Sequence, residues 1–222
     1  MRRAYLVFLA GLFLLSCSSG DSDLSKRRLK GEVSMITETQ HEAIHKNDQW
    51  TPGKSLYGKR IIRYDKAGMY QGTAILTDAG DTLGITRIRR EDGEMVEEVF
   101  RSSVNGRSTR TIMDKVSDEQ TNFEVWEGDA QRYEGAFFYD SRGRTIRQVQ
   151  VYDDMEESTY FVFEKDLVVE SYQENEQGSR TNTQLFEYPE FDETGNWIKR
   201  LVYLDEDRIV PEVITLRNYS YY

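Results

Sequence analysis

Tyr64-Asp65-Lys66-Ala67-Gly68, Tyr139-Asp140-Ser141-Arg142-Gly143 and Phe191-Asp192-Glu193-Thr194-Gly195 share one pattern, aromatic-Asp-x-x-Gly. Each lies between two strand-like stretches. The aromatic residue ends a strand on the sheet surface. The Asp side chain bonds back to nearby backbone amides, and the Gly takes the positive φ that closes a turn. The pattern therefore predicts a hairpin, and Thr77-Asp78-Ala79-Gly80 is a shortened echo of it. The Asp positions differ by 140 − 65 = 75 and 192 − 140 = 52 residues, roughly three and two units of about 25. Self-similarity of this kind points to stacked two-strand units, each covering its neighbour.

Outward from these turns, from about residue 31, short stretches rich in β-branched and aromatic residues alternate with Gly, Asp and Asn. Candidate strands are Glu32–Thr39, Lys59–Tyr64, Thr73–Thr77, Leu83–Arg90, Met95–Ser102, Ser108–Met113, Asn122–Glu127, Tyr133–Tyr139, Thr145–Tyr152, Thr159–Glu164, Leu167–Tyr172, Asn182–Tyr188, Trp197–Leu204 and Val213–Tyr221. No long segment holds a 3.6-residue apolar period, so few helices are expected. Short connections favour antiparallel hairpins. In Trp197–Leu204 one face reads Trp197, Lys199, Leu201, Tyr203 and the other Ile198, Arg200, Val202, Leu204. Neither is purely apolar, whereas a sandwich strand separates its faces cleanly. The expected fold is an all-β antiparallel meander of hairpins forming a twisted, partly single-layered sheet, with an up-and-down barrel as the alternative. No strand carries a clean lipid-facing band, so a membrane-spanning barrel is not expected.

Composition agrees with one ordered domain over residues 29–222. The 222 residues include 14 Tyr and 10 Phe but 3 Pro, too aromatic for a disordered chain. Residues 1–16 read as an export signal peptide. Arg2 and Arg3 precede an apolar run of 12 residues, Ala4 to Leu15, too short to span a bilayer as a helix. Removing Arg2 and Arg3 takes the formal charge from −10 to −12 for the part from Cys17 onward. Such acidity does not suit nucleic acid or anionic headgroups, which want a basic face. Lys26-Arg27-Arg28-Leu29-Lys30 is a small basic cluster, read as solvated.

Leu14-Leu15-Ser16-Cys17 resembles the lipobox of bacterial lipoproteins, in which the Cys becomes the lipidated mature N-terminus; Leu15 is bulkier than usual at its position. Cys17 is the only cysteine, so no disulfide can form within one chain. The resemblance implies a covalent lipid on Cys17, no other cofactor, a flexible tether over residues 17–28, and a place at the bacterial outer membrane on its periplasmic face or at the cell surface. The aromatic-Asp-x-x-Gly units resemble YD repeats of the Rhs type. The layout resembles uncharacterised outer-membrane lipoproteins that open on Leu29-Lys30-Gly31-Glu32-Val33 and end on Phe191-Asp192-Glu193-Thr194-Gly195-Asn196-Trp197. That group carries no established activity. YD repeats in larger proteins form β-sheet shells associated with carbohydrate binding.

His41-Glu42-Ala43-Ile44-His45 fits H-E-x-x-H, the helical zinc-hydrolase motif, and holds the only two histidines. Its setting argues against that chemistry. A strand-like run precedes it, Lys46 and Asn47 follow it, and no third histidine exists to complete a site. No G-x-S-x-G, P-loop or G-x-G-x-x-G is present. Asp153-Asp154, Glu156-Glu157 and Asp205-Glu206-Asp207 do not fit a spaced calcium loop. Trp50 and Trp126 are candidates for stacking on a sugar or contacting a protein. The expectation is a non-enzymatic, lipid-anchored β module that binds a glycan or an envelope protein, or serves structurally. The alternative is a zinc hydrolase using His41, Glu42 and His45.

Overall fold

The computed structural model describes residues 22–153, 155–174, 178–205 and 207–222. A short helix, α1 (Asp23–Lys26), precedes fourteen strands: β1 (Val33–Lys46), β2 (Gln49–Tyr64), β3 (Tyr70–Leu76), β4 (Thr82–Glu91), β5 (Glu94–Ser102), β6 (Ser108–Ser117), β7 (Gln120–Glu127), β8 (Ala130–Tyr139), β9 (Thr145–Tyr152), β10 (Met155–Glu164), β11 (Leu167–Glu174), β12 (Arg180–Phe191), β13 (Trp197–Tyr203) and β14 (Val213–Tyr221). Each strand pairs with its chain neighbour, and β1 pairs antiparallel with β14 from Val33 opposite Tyr221 to Glu42 opposite Val213. The sheet closes into a 14-strand antiparallel up-and-down barrel.

The closed barrel overturns the expected open, partly single-layered sheet. Closure pairs the N–H and C=O groups that two free edges would otherwise expose. Mixed strand faces, which suggested a single layer, have another origin. Ile214 opposes Leu201 and His41 across the ladder, and with Leu185 and Tyr203 it forms a buried cluster. Bulges at Thr39/His41 and His41/Ala43 break the register of the long β1–β2 hairpin, and Ala43 and Trp50 of that hairpin pack on this cluster. The opposite face of β13 and β14 carries Arg200 and Thr215, a cross-strand pair. Both faces of β13 are thus covered, one by apolar and one by polar neighbours.

The larger core lies on the inner face of β1–β3 and β5–β8. Register carries that face around the wall: Ile36 opposes Ile62 and Tyr219, Phe123 opposes Met113 and Gly135, and Phe137 opposes Thr121 and Gln148. Phe123 and Phe137 are almost wholly buried with ring centroids 4.7 Å apart. Burial on this scale stabilises by about 1.5–3 kcal/mol for each such side chain. Gly135 leaves room for the Phe123 ring, since a Cβ there would sit 2.6 Å from its Cζ. The alternate residues of β4–β7, including Arg87, Arg89, Glu97, Arg110 and Glu124, form a charged outer wall.

The three aromatic-Asp-x-x-Gly motifs make the expected turns. Gly68, Gly143 and Gly195 have positive φ and donate to the carbonyls of Asp65, Asp140 and Asp192 at 2.8–3.0 Å. Each Asp Oδ1 accepts the backbone amide four residues on, from Met69, Arg144 or Asn196, at 2.8–2.9 Å. In the echo, the Thr77 hydroxyl takes the Asp role, accepting from the Asp81 amide at 3.0 Å. The three motifs close β2–β3, β8–β9 and β12–β13, six and four strands apart. An even strand separation puts all three at the end of the barrel where β1 starts and β14 finishes.

The N-terminal segment crosses and seals that end. Asp23 is 2% exposed, accepts the Tyr70 amide at 2.7 Å and pairs with Arg90. The Leu24 amide donates to the Gly68 carbonyl at 3.1 Å. Lys26 lies 4.0 Å from Glu94, and Arg27 donates to the Tyr64 hydroxyl at 3.0 Å while lying over the Tyr70 ring. Arg28 reaches the Arg142 carbonyl and Asp166. The Lys30 amide and carbonyl both bond the Asn196 side chain, at 2.8 and 2.9 Å. Lys26, Arg27 and Arg28 of the basic cluster are therefore engaged in internal contacts, while the Lys30 side chain stays exposed. Of the stretch expected as tether, residues 17–21 lie outside the described residues, and Asp23–Lys26 are helical and docked.

Candidate functional site

The most heavily charged point of the interior is Glu38. It lies mid-strand on β1, opposite Arg217 of β14 and Arg60 of β2. The Arg217 Nε donates to the Glu38 Oε2 at 2.8 Å, and Arg60 approaches the other oxygen at 3.6 Å. Arg200 stands on the same face through Thr215, to which it donates at 3.4 Å. Burial pushes the Glu38 carboxyl up, but Arg217, then Arg60 and Arg200, outweigh it and hold it down at about 2. Trp197 lies beneath two of these cations, 3.9 Å from Arg217 and 5.2 Å from Arg200. The Arg200 Nε is buried and makes no hydrogen bond.

One carboxylate thus faces three guanidiniums. A carboxylate ionised down to about pH 2 is a fixed charge near neutrality, not a proton carrier. Its chemistry is to hold three strands and their cations in register.

Glu98 of β5 is the contrasting group. It opposes Ile88 and Thr111 on the inner face. Burial raises its carboxyl to about 7, with Arg27 and Arg60 opposing the rise. Burial and the Glu98 charge together push the Tyr70 phenol well above its usual range, and its hydroxyl shares a 2.8 Å hydrogen bond with Thr73. Glu98 is thus held near neutrality where Glu38 is held far below it, and shifted groups of this kind occur at functional sites and in structural networks alike.

The histidines lie in a strand. Residues 41–45 belong to β1, so His41 and His45 are about 13 Å apart along the strand and Glu42 faces the other way. On a helix they would share a face one turn apart and could meet a single zinc. His41 is instead held by the Gly53 carbonyl at 3.2 Å and the Thr39 hydroxyl at 3.0 Å. The His45 ring sits 4.8 Å from the Trp50 ring at the hairpin tip. Among the described residues no three His, Cys, Asp or Glu gather as a metal site. Asp154 and Glu206 of the acidic runs lie outside the described residues, as does Cys17.

Trp50 is partly buried against the β12–β14 cluster. Trp126 is on the outer wall, its Nε1 donating to Glu124 at 3.1 Å with Arg110 over the ring. The two are not brought together. A surface hollow of about 220 Å³ lies between Ser22, Leu24, Lys66 and Tyr222, and another of about 420 Å³ between Leu56, Ile75 and Leu83. Neither contains the interior charges.

Sequence reasoning passed over Glu38, Arg60, Arg200 and Arg217, whose extremes are 179 residues apart in the chain. The available signal was a charge inside an otherwise uncharged run, Val33-Ser34-Met35-Ile36-Thr37-Glu38-Thr39, and Arg200 on a strand with mixed faces. No protein-family model matches the chain, and no curated protein matches it.

Proposed function

We propose that the protein is a lipid-anchored, non-enzymatic module of the bacterial outer membrane whose barrel presents a binding surface for a glycan or an envelope protein. The closed barrel is an architecture compatible with an outer-membrane protein. The observation that carries the reading is the junction between the Leu14-Leu15-Ser16-Cys17 sequence and the barrel. Five residues after Cys17 the chain enters a segment locked into the barrel wall by Asp23, Leu24 and Lys30. A lipid on Cys17 would therefore hold a rigid body, not a loosely strung domain. The charged outer face of β4–β7 favours water over lipid on that side of the barrel, because an Arg or Lys on a lipid-facing strand costs about 2–4 kcal/mol at the bilayer midplane. The resemblance to YD-repeat lipoproteins supports the same placement.

Binding is supported by the hairpin tips at the end opposite α1. Ile44, Val104, Met155, Leu204, Ile209 and Val210 are exposed there. Two experiments test the reading. Radiolabelled fatty acid should enter the wild type and not Cys17→Ala; equal incorporation in both removes the anchor. Affinity capture from native membranes, with a glycan array in parallel, should return a ligand whose binding weakens in Trp50→Ala or Trp126→Ala.

A further inference from the structure

We infer that the bilayer lies against the sealed end of the barrel, so that the opposite rim, with its exposed apolar tips, points away from the membrane. This inference rests on acylation of Cys17. Its geometric basis is the exit point of the chain. Ser22 packs at the β2–β3 turn, where a Cβ on Gly68 would lie 2.9 Å from the Ser22 Cβ. Ser22 lies five positions after Cys17, a reach of at most ~17 Å. A wall of ten-residue strands tilted by about 40° stands ~26 Å tall. A lipid at Cys17 therefore cannot bring the far rim to the bilayer while the barrel stands upright. Laying the barrel on its β4–β7 side would press Arg87, Arg89, Glu97, Arg110 and Glu124 against the membrane, and these carry charge of both signs on that outer face.

The sealed end itself suits the contact. Its turns, at 65–68, 140–143 and 192–195, are tightly hydrogen-bonded. Lys26, Arg27 and Arg28 are engaged in protein contacts there, so the lipid chain and not a basic patch makes the attachment. Ile44, Val104, Met155, Leu204, Ile209 and Val210, which need covering if they bind anything, are all on the other side.

The test uses full-length protein extracted from membranes and returned to phosphatidylethanolamine–phosphatidylglycerol vesicles carrying a headgroup acceptor dye. Cys17 is the only cysteine, so new surface cysteines can be labelled singly in the acylated protein. Ser141→Cys and Glu193→Cys report the sealed end, and Val104→Cys and Ile209→Cys the rim. Energy transfer to the headgroup plane should be severalfold stronger from positions 141 and 193. Equal or reversed transfer in acylated protein overturns the orientation and leaves the anchor standing. Absence of fatty acid on Cys17 removes the anchor and the orientation with it.

Discussion

Replacing Glu38 by Gln keeps the shape of the side chain and removes its charge. Three guanidiniums would then face the interior with no carboxylate among them. The magnitude follows from the carboxyl, held at about 2 in the folded protein against 4.5 for the free group. At about 1.4 kcal/mol per unit, the ionised form is favoured by folding by about 3 kcal/mol at pH 7. That agrees with the ~3–5 kcal/mol typical of removing one partner from a buried pair. For a domain of this size it corresponds to a fall in Tm of roughly 6–12 °C. Because the folded value is depressed, the contribution is full above pH 4.5 and is lost as pH falls through about 2. Urea unfolding followed by tryptophan fluorescence reads this directly, since Trp197 lies under Arg217 and Arg200. Wild type and Glu38→Gln should differ by about 3 kcal/mol at pH 7, by roughly half of that at pH 3, and converge near pH 2. A difference that stays constant from pH 7 to pH 2.5 would refute the argument, because the loss would then come from shape and not charge.

Glu98 has the opposite sign. Its folded value is raised to about 7, so it opposes stability increasingly as pH rises from 4.5 through 7, and Glu98→Gln should be more stable than wild type at pH 8 but not at pH 4, measured by thermal melts. Together Glu38 and Glu98 place the stability maximum of the wild type near pH 4.5–5, which a pH series of Tm values checks. Gly135→Ala should cost about 3 kcal/mol, because its Cβ would lie 2.0 Å from the Val149 carbonyl oxygen, whereas Gly106→Ala meets no atom within 4 Å and should cost only the ~1–2 kcal/mol of backbone strain that its positive φ of 69° imposes on a residue with a Cβ; denaturation midpoints compare the two. Equimolar zinc should leave the Tm of wild type unchanged, and His41→Ala and His45→Ala should behave alike with and without it; a zinc-dependent rise that either variant abolishes would show that the two histidines meet a metal despite lying in β1.

The candidate strands of the sequence match fourteen strands in the barrel, and two coincide end to end, Thr145–Tyr152 with β9 and Val213–Tyr221 with β14. The stretch from His41 to Tyr57 is the main difference. It lies between the candidate strands Glu32–Thr39 and Lys59–Tyr64, yet it extends β1 and β2 around a two-residue turn, where Asn47 and Asp48 have φ of 50° and 59°. Asn and Asp both tolerate positive φ, so the pair carries a turn signal. The continuation of strands on both sides of it is hidden, because His41 and Ser55 pair across a bulge, and bulges erase the alternation by which strands are recognised.

By itself the sequence determined the local chemistry. Asp at 65, 140 and 192 and Gly three residues later dictate turns, because a carboxylate can cap nearby amides and only Gly takes positive φ without strain. Their spacings of 75 and 52 residues determined an even number of strands between them. Tertiary structure decided what lies far apart in the chain. Pairing of β1 with β14 turned a meander into a barrel, and the same pairing set Glu38 beside Arg217. It also made Arg200 an interior cation, and Trp50 packs part of its ring on the β12–β14 cluster. Closure depends on the twist and register accumulated over all fourteen strands, and no single stretch of residues carries that sum.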